Sequence, residues 1–368
     1  MPQRRMRYSR RRRNEPRILK DGEYILGKLH RERTKVKVLV LGHAEVEQLL
    51  PMDECIGVME EMFKTLARGD AVLPLRKALW QPDKKGLFAT MPAYLGSPQV
   101  IGGKFITFFP DNNNSNFESH QGAILLFECV NGRLLAIIDA TSVTAIRTGA
   151  ASGAATKALA RKNVHNLAIL GSGTQASMHL KSMRSVRELT RVSVWSRNPD
   201  HARRFAKNGA KAEGLTIEVA KSAEEAVSGA DIVCTTTAST EPILKGKWLT
   251  PGVHVNAVGA SVAPFRELDS EALVMSSLFT DRRESLLNEA NDFLIPRQEG
   301  AVTDDHLRGE VGEVLIGKIP GRSNEQEITL FKSLGLAVED LASAHHIYRK
   351  AIEGGMGTWV DFNSEREP

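Results

Sequence analysis

One short stretch, residues 166–176 (NLAILGSGTQA), constrains the fold of this chain more than any other. An apolar run that predicts a buried strand ends at two glycines, Gly171 and Gly173, and Ala176 follows. Glycine adopts backbone angles that other residues avoid, and the missing side chain at the second glycine lets a pyrophosphate approach the backbone. The pattern Gly-x-Gly-x-x-Ala therefore predicts a dinucleotide-binding turn before a helix over 174–183, the alternative being an ordinary strand-to-helix turn.

The segments after this turn repeat the order of strand and helix. Apolar runs that predict further buried strands cover residues 191–196, 230–237, 252–259 and 278–281. Parallel strands need helical crossovers of this kind between them. Residues 161–325 are therefore predicted to form an α/β domain of the Rossmann type, with a doubly wound parallel sheet.

The earlier part of the chain predicts a mixed α+β domain over residues 36–160. Its expected helices cover 52–66 and 141–159, and its expected strands cover 36–42, 88–91, 103–109, 123–127 and 134–138. Asn131-Gly132 favours a two-residue hairpin turn between the last two strands. A helix expected over 328–351, with Leu334 on its apolar stripe, is predicted to return to this domain, which residues 326–358 would complete.

The basic character of the chain lies in residues 1–35. They hold 13 Lys or Arg against 4 acidic residues, which leaves 36 against 40 for the rest of a chain whose formal net charge is +5. This segment, with four arginines over 10–13, shows no pattern of a fold of its own. We expect a disordered extension there rather than an arm that binds nucleic acid or a membrane.

Cysteine usage and hydropathy bear on the compartment. Cys55, Cys129 and Cys234 are scattered, without a metal-binding spacing, which is typical of a reduced compartment and predicts no metal site. No apolar stretch approaches the roughly 18 residues that a membrane-spanning helix needs, and the start of the sequence lacks a signal-peptide pattern. We therefore expect a cytoplasmic protein.

Three cations in the first half of the chain are candidates for binding an anion. Lys104 lies in an apolar strand beside two glycines, where a buried ammonium group is costly unless it is paired or used. Such a lysine can transfer a proton or bind a carboxylate, although an edge-strand lysine facing water is the alternative. Arg147, in a helix of small and apolar residues, could bind a substrate carboxylate, cofactor phosphates or a structural acidic neighbour. Arg76 follows a proline turn and is equally well explained as a surface residue.

The residues after the second predicted Rossmann strand bear on cofactor choice. Enzymes that prefer NAD usually place an acidic residue there for the ribose 2′-hydroxyl, whereas the 2′-phosphate of NADP needs a cation and small polar groups. This chain has Ser196, Arg197 and Asn198 and no carboxylate at that point. The segment therefore predicts NADP, with NAD as the second choice, unless Arg197 is an ordinary exposed loop residue.

Four segments in order carry a family resemblance. Together, residues 146–151 (IRTGAA), 170–175 (LGSGTQ), 255–260 (VNAVGA) and 331–340 (FKSLGLAVED) resemble the ornithine cyclodeaminase and mu-crystallin family. That family includes ornithine cyclodeaminases, alanine dehydrogenases and reductases of cyclic ketimines. The resemblance therefore implies an enzyme with a small amino or imino acid substrate, and a homodimer built through the first domain, but it leaves the activity open.

The resemblance also implies roles for individual residues. Arg76, Lys104 and Arg147 would bind the substrate carboxylate, with Lys104 near the reacting centre and Leu334 in the substrate pocket. The implied cofactor-binding residues, in addition to Gly171 and Gly173, are Thr148, Thr174, Gln175, Ser196, Arg197 and Asn198, and on the nicotinamide side Thr237, Asn256, Ala257, Val258, Gly259 and Ser333.

One position departs from the cyclodeaminases of this family. They carry an aspartate for the substrate amine two residues beyond the Asn-Ala-Val-Gly segment, and this chain has Ser261 there, as mu-crystallin-like ketimine reductases do. A serine hydroxyl has no usable pKa near neutrality without a neighbouring base, so Ser261 favours a reductase.

The prediction is an oxidoreductase that transfers a hydride between NADP and the α-carbon of a small imino or amino acid, with Lys104 and Ser261 as the catalytic candidates. Two alternatives stay open, an ornithine cyclodeaminase and a non-catalytic protein that binds a ligand together with NADPH.

Overall fold

The computed structural model describes residues 35–364, so the predicted disordered extension lies outside the described residues except for Lys35. The strands are β1 (Lys35–Leu41), β2 (Ala71–Val72), β3 (Lys77–Trp80), β4 (Leu87–Gly96), β5 (Gln99–Phe108), β6 (His120–Glu128), β7 (Leu134–Asp139), β8 (Asn166–Leu170), β9 (Arg191–Trp195), β10 (Ile217–Val219), β11 (Ile232–Thr235), β12 (His254–Ala257), β13 (Ser277–Thr280), β14 (Leu307–Glu310), β15 (Thr329–Lys332) and β16 (Thr358–Ser364). The helices are α1 (His43–Leu49), α2 (Met52–Ala67), α3 (Ala140–Leu159), α4 (Thr174–Val186), α5 (Pro199–Glu213), α6 (Ala223–Val227), α7 (Ser270–Val274), α8 (Arg283–Glu289), α9 (Asn291–Gln298), α10 (Val311–Leu315) and α11 (Ala337–Gly354).

The second half of the chain forms a parallel sheet in the order β10-β9-β8-β11-β12-β15-β13-β14. Residues of β8, β11 and β12 are almost all buried, which agrees with their continuous apolar runs. The strand order reverses between β8 and β11, and a crevice for a ligand forms at the carboxyl ends of such strands. The predicted α/β class with a doubly wound sheet is confirmed.

The first half of the chain, together with β16 from its last part, forms a mixed sheet in the order β16-β1-β7-β6-β5-β4-β2, with β3 paired to β4. Its strands are antiparallel except for the β1–β7 pair. Helices α2, α3 and α11 pack together, and α3 and α11 also contact the sheet. Ala89, Met91, Ile124 and Leu126 are buried on the sheet face that also carries Lys104. The sheet therefore aims Lys104 into the interior.

The predicted hairpin at Asn131-Gly132 differs from the structure. Strand β6 ends at Glu128 and β7 begins at Leu134, so the connection has five residues rather than two. Gly132 has a φ of +71°, but Asn131 is not among the described residues with positive φ, which a type I′ turn requires at both positions.

The predicted helix over 328–351 is wrong at its start. Residues Thr329–Lys332 form the buried strand β15 between β12 and β13, and the helix α11 begins only at Ala337. This segment, Thr-Leu-Phe-Lys, is too short to show a period that distinguishes a buried strand from a helical turn. Leu334 consequently lies in the loop after β15, and the return of the chain to the first sheet begins at α11.

Candidate active site

The glycine turn joins β8 to α4 and leaves open space at its tip. Gly171 has a φ of +125°, and a Cβ at this residue would lie 2.5 Å from Thr236 Oγ1. At Gly173 a Cβ would meet no described atom within 4 Å, and no described side chain caps the first amides of the 13-residue helix α4. Unpaired amides at a helix start attract anions. The turn therefore fits a phosphate group.

Polar side chains surround this turn. The hydroxyl of Ser172 donates to Ser196 Oγ at 3.0 Å, which ties the turn to the end of β9. Gln175 Oε1 is buried without a hydrogen-bond partner among the described residues, and Thr174 is exposed at the start of α4. Arg197 is exposed beside them, whereas Asn198 Oδ1 accepts from the amide of Asp200 and caps α5. Cofactor contacts at these residues stay predictions.

The residues predicted for the nicotinamide side follow the carboxyl ends of neighbouring strands. Thr237 follows β11, Gly259 follows β12 and Ser333 follows β15, and the amide of Ser333 donates to Ala257 O at 3.0 Å. Three strand spacings of about 4.8 Å separate β8 from β15, so this row extends about 14 Å from the glycine turn. One edge of the sheet thus carries both groups.

Four of the predicted cofactor residues are engaged in the interior. The amide nitrogen of Asn256, which is fully buried, donates to Thr156 Oγ1 at 2.9 Å. Thr148 Oγ1 donates to Thr144 O at 2.7 Å, while Ala257 and Val258 are buried. The side chain of Asn256 thus helps to pack α3 on the sheet, and a cofactor contact at these four residues stays a prediction.

Three predicted substrate-binding cations lie together, and we call Arg76, Lys104 and Arg147 the cation cluster. Lys104 Nζ lies 2.8 Å from Asp340 Oδ2, and Arg147 Nε lies 3.0 Å from Asp340 Oδ1. Only 1% of Lys104 and 4% of Arg147 are exposed, so the alternative of a water-facing lysine is wrong. The alternative of a structural ion pair does describe Arg147 in this structure.

Arg76 joins this cluster from the β2–β3 connection. Its guanidinium pairs with both oxygens of Glu289 at 3.0 Å and donates to Leu334 O at 2.8 Å and Gly335 O at 3.2 Å. On the other side, a Cβ at Gly335 would lie 2.7 Å from Arg147 Nη1. The two arginines therefore flank the loop that follows β15, at the same sheet edge as Ser333.

Burial controls the protonation of this cluster. It lowers the pKa of Lys104 to about 8, with Asp340 favouring and Arg147 opposing the charged form. Burial likewise disfavours ionised Asp340, but Arg147 and Lys104 outweigh it and hold the pKa of Asp340 below its usual range. Burial also raises the pKa of Glu339 to about 7, against the opposing charge of Arg147, which it contacts at 2.8 Å. Lys104 of the cluster and the neighbouring Glu339 therefore have pKa values near neutral pH.

The carboxylates of this site did not emerge as candidates from the sequence. Asp281 Oδ2 accepts from the amides of Leu334 and Gly335, Glu289 pairs with Arg76, and Glu339 and Asp340 pair with Arg147. The available signal was the pair of adjacent acidic residues 339 and 340 within the otherwise apolar segment 334–342. Buried carboxylates there require cations from elsewhere in the chain.

Ser261, Arg197 and Leu334 are predicted site residues whose side chains form no hydrogen bond with the cluster among the described residues. Ser261 is half-buried in the loop after β12, and no hydrogen bond joins it or Arg197 to the cluster within residues 35–364. Leu334 is 2% exposed and packs in the apolar core of the second sheet, so it is its backbone that contacts Arg76.

Two clefts lie near the elements described. A cleft of about 400 Å³ runs between α4 and α5, and its lining includes Ser172 but no member of the cation cluster. A much smaller one opens beside Arg76, Glu289 and Gly335. Of the two clefts, only the second is lined by a member of the cation cluster, Arg76, so the candidate substrate site lies on that side.

Two kinds of feature are absent from the part of the chain that the structure describes. Residues 35–364 contain no group of three or more His, Cys, Asp or Glu side chains arranged to bind a metal ion. No helix described in the structure is both long and apolar enough to cross a membrane.

Comparison with known proteins gives consistent matches over most of the chain. The model of the ornithine cyclodeaminase/mu-crystallin family matches residues 36–355. Ketimine reductase mu-crystallin of Mus musculus is 38% identical over 280 residues, which cover 76% of this chain and 85% of the relative. The structure of Thermococcus litoralis Delta(1)-pyrroline-2-carboxylate reductase in complex with NADH and L-proline has a TM-score of 0.85 and 39% identity, covering 87% of this chain and 99% of that one. An archaeal alanine dehydrogenase dimer with bound NAD has a TM-score of 0.83 and 33% identity, with 89% and 99% covered. This chain belongs to the ornithine cyclodeaminase/mu-crystallin family.

Proposed function

We propose that this chain is an NADP-dependent oxidoreductase, with NAD as a second cofactor, that reduces a small imino acid to an α-amino acid. One observation carries the proposal: the cation cluster lies at the sheet edge that begins with the glycine turn. A dinucleotide held at such a turn extends along the carboxyl ends of the strands. The activities of the relatives, ketimine and pyrroline-carboxylate reduction, support the same class of substrate.

The cation cluster retains donors for a substrate carboxylate. Among the described contacts, Lys104 Nζ has Asp340 and Thr144 as partners, and an ammonium group has three donors. Arg147 engages two of its five N–H groups, with Asp340 and Glu339. Arginine binds carboxylates through two parallel hydrogen bonds. Together these side chains would fix the substrate with its C=N carbon facing the strand ends.

The residues of the cluster also account for the proton that reduction requires. When bound, the nicotinamide cofactor supplies the hydride for the substrate carbon. The imine nitrogen must gain a proton, and Lys104, whose pKa is lowered to about 8 by burial, holds one at neutral pH and can release it. Asp340 keeps the ammonium group in place through the contact at 2.8 Å. Ser261 stays a weaker candidate for the same step.

The most direct test is a substrate screen. Purified protein with NADPH is incubated with pyrroline-2-carboxylate, piperideine-2-carboxylate, and pyruvate plus ammonia, while NADPH absorbance is followed. We expect oxidation of NADPH with at least one of the cyclic imines. Absence of turnover across the panel, with tight binding of NADPH, would instead support the non-catalytic alternative.

Ornithine cyclodeamination is the alternative within enzymes. Ser261 stands where the cyclodeaminases have an aspartate, so we expect no ammonia release from ornithine. Ammonia and proline formed without net reduction of the cofactor would contradict the proposed reductase.

The preference for NADP depends on Arg197. We propose that this exposed guanidinium binds the 2′-phosphate, because Ser196 and Asn198 beside it carry no charge that would repel it. Arg197→Ala should weaken NADPH binding about ten-fold and leave NADH binding unchanged. Equal losses for both cofactors would contradict this assignment.

We also propose a homodimer in which the outer face of the first sheet is covered by a second copy. Leu79, Phe88, Ile101 and Phe105 lie on that face with 71%, 40%, 45% and 36% exposed. Adjacent exposed apolar residues of this kind mark an interaction surface. Sedimentation should give a dimer for the wild-type chain and a monomer for Ile101→Asp/Phe105→Asp. A monomeric wild type would contradict it.

The division of labour follows from these proposals. The first sheet with α3 and α11 would bind the substrate and form the dimer, and the second sheet would bind the cofactor. Cys55, Cys129 and Cys234 are free thiols, which is consistent with the cytoplasmic location that we propose.

A further inference from the structure

A fully buried carboxylate lies beneath the strand ends that face the proposed nicotinamide position. Glu267, in the connection between β12 and α7, accepts four hydrogen bonds. Its Oε1 accepts from the amide and the hydroxyl of Thr237 at 2.6 and 2.7 Å, and its Oε2 accepts from Thr235 Oγ1 and the amide of Gly259 at 2.7 Å each. Each oxygen therefore meets one backbone N–H and one hydroxyl.

These bonds join the loop after β11 to the loop after β12. A Cβ at Gly259 would lie 2.0 Å from Thr237 O and 2.6 Å from Glu267 Oε1, so the two loops touch and only glycine fits between them. Because both backbone amides can only donate, each carboxyl oxygen of Glu267 must accept from one of them. The carboxylate thus sets the spacing of two adjacent loops.

A buried ion pair extends this network to a third strand. Asp292 Oδ1 accepts from the amides of Glu267 and Leu268 at 2.8 and 2.9 Å. Lys332 Nζ donates to Asp292 Oδ2 at 2.8 Å, and both side chains are 1% exposed. Lys332 ends β15 and precedes Ser333. One network therefore connects the carboxyl ends of β11, β12 and β15.

Burial of these charges is costly for the fold. An apolar set of similar size often stabilises a core at least as well as a buried ion pair. This network lies at the strand ends and fixes the loops at the proposed cofactor edge. Its effect on the positions of these loops therefore explains it better than a gain in stability.

We infer that Glu267 is a positioning residue that holds the loops carrying Thr237 and Gly259 in the arrangement that receives the nicotinamide half of the cofactor. This inference rests on the proposed function, since that proposal assigns these loops to the nicotinamide side. Glu267 acts through the two loops and has no contact with the substrate.

The test compares the affinities of two probes for Glu267→Gln. The glutamine has one acceptor oxygen, so its NH₂ group faces a backbone N–H that only donates, and one loop moves. NADPH includes the nicotinamide, whereas 2′-phospho-ADP-ribose contains only the part held at the glycine turn. We expect the dissociation constant of NADPH to rise about five-fold or more, with that of 2′-phospho-ADP-ribose unchanged. NADH and ADP-ribose replace the pair if the wild type prefers NAD.

Glu327→Gln is the matched control. Glu327 accepts from the hydroxyl of Ser277 and from the amide and hydroxyl of Ser323, but it precedes β15 and lies at the opposite end of the sheet. Glu327 is half-buried, whereas Glu267 is fully buried, but a merely structural role of either carboxylate would lower the thermal midpoint of its variant without changing the ratio of the two dissociation constants. We expect the ratio to change only for Glu267→Gln.

An unchanged ratio in a folded Glu267→Gln protein, or an equal loss for both probes, overturns the inference. If Glu267→Gln does not fold, the same ratio of dissociation constants is measured for Thr235→Val. This variant removes one donor to Glu267 and leaves the bonds from Thr237 and Gly259. A ratio raised about two-fold supports the inference, and an unchanged ratio overturns it. Failure of the proposed function can be distinguished from failure of this inference. The ratio of the two dissociation constants can still be measured if the protein turns over none of the imines.

Discussion

The glycine turn and the cation cluster are both suited to anions, but they are built in opposite ways. The turn uses backbone amides and open space within residues 170–175, and its tip at Gly173 is exposed. The cluster uses side chains from three distant segments, buried against carboxylates of α8 and α11.

This difference determines how each site affects the stability of the fold. Backbone amides at a helix start carry only partial charge and need no counter-ion, so the turn can stay open. Full charges in the interior must be paired, so the cluster is held by Asp340, Glu339 and Glu289. A substitution in the turn should therefore change ligand affinity alone, whereas one in the cluster should change stability as well.

The largest expected effect is that of Lys104→Met. Loss of the ammonium group removes the proposed proton donor, so turnover should fall by about 10³ or more, within the range known for general acids. Binding of NADPH, followed by its fluorescence, should stay within about two-fold of the wild type because the glycine turn is untouched. Retained turnover would remove Lys104 from the mechanism.

Asp340→Asn tests whether the cluster depends on its shared carboxylate. Lys104 loses its buried carboxylate partner and Arg147 keeps only Glu339, so the free energy of unfolding should fall by about 3 to 5 kcal/mol in urea denaturation. Asp200→Asn is the control, because its pair with Arg203 is exposed and contributes about 1 kcal/mol or less. Equal losses for the two variants would contradict the contrast.

Gly173→Ala tests whether the glycine turn binds a phosphate of the cofactor. A Cβ there meets no described atom within 4 Å, so the thermal midpoint should not change, but the methyl group occupies the approach of the phosphate. The dissociation constant of NADPH should rise about ten-fold. Gly57→Ala in α2, where a Cβ also meets no described atom, should leave binding unchanged. An unchanged dissociation constant of NADPH in Gly173→Ala would contradict the assignment of the turn as the phosphate-binding site.

The smallest expected effect is on the pH profile. Burial lowers the pKa of Lys104 to about 8, so the charged form that binds the carboxylate is lost as the pH rises through that value. KM for the imine should therefore rise several-fold between about pH 7 and pH 9. Lys104→Arg keeps its charge throughout this range but cannot donate the proton, so the dissociation constant of the amino acid product is compared in the two proteins, and the variant should lack the rise that the wild type shows. An identical rise in the variant would mean that titration of a group other than Lys104 causes it.

Sequence patterns were reliable where the physics is local. The turn at Gly171 and the strands β8, β9, β11, β12 and β13 follow from glycine geometry and apolar runs of ordinary length. The same reasoning failed for Thr329–Lys332, because four residues of which only Leu330 and Phe331 are apolar carry no period, and only the place of this segment between β12 and β13 makes it a strand.

By itself, the sequence determined the fold class, the glycine turn between β8 and α4, and the identities of three cations that needed partners. Only the tertiary structure decided which partners they have. Asp340 meets Lys104 and Arg147 across more than 190 residues of sequence, and Glu267 joins two loops through four bonds. The physical reason is range: backbone preferences act between neighbours in the chain, whereas the pairing of buried charges depends on which segments the completed fold brings into contact.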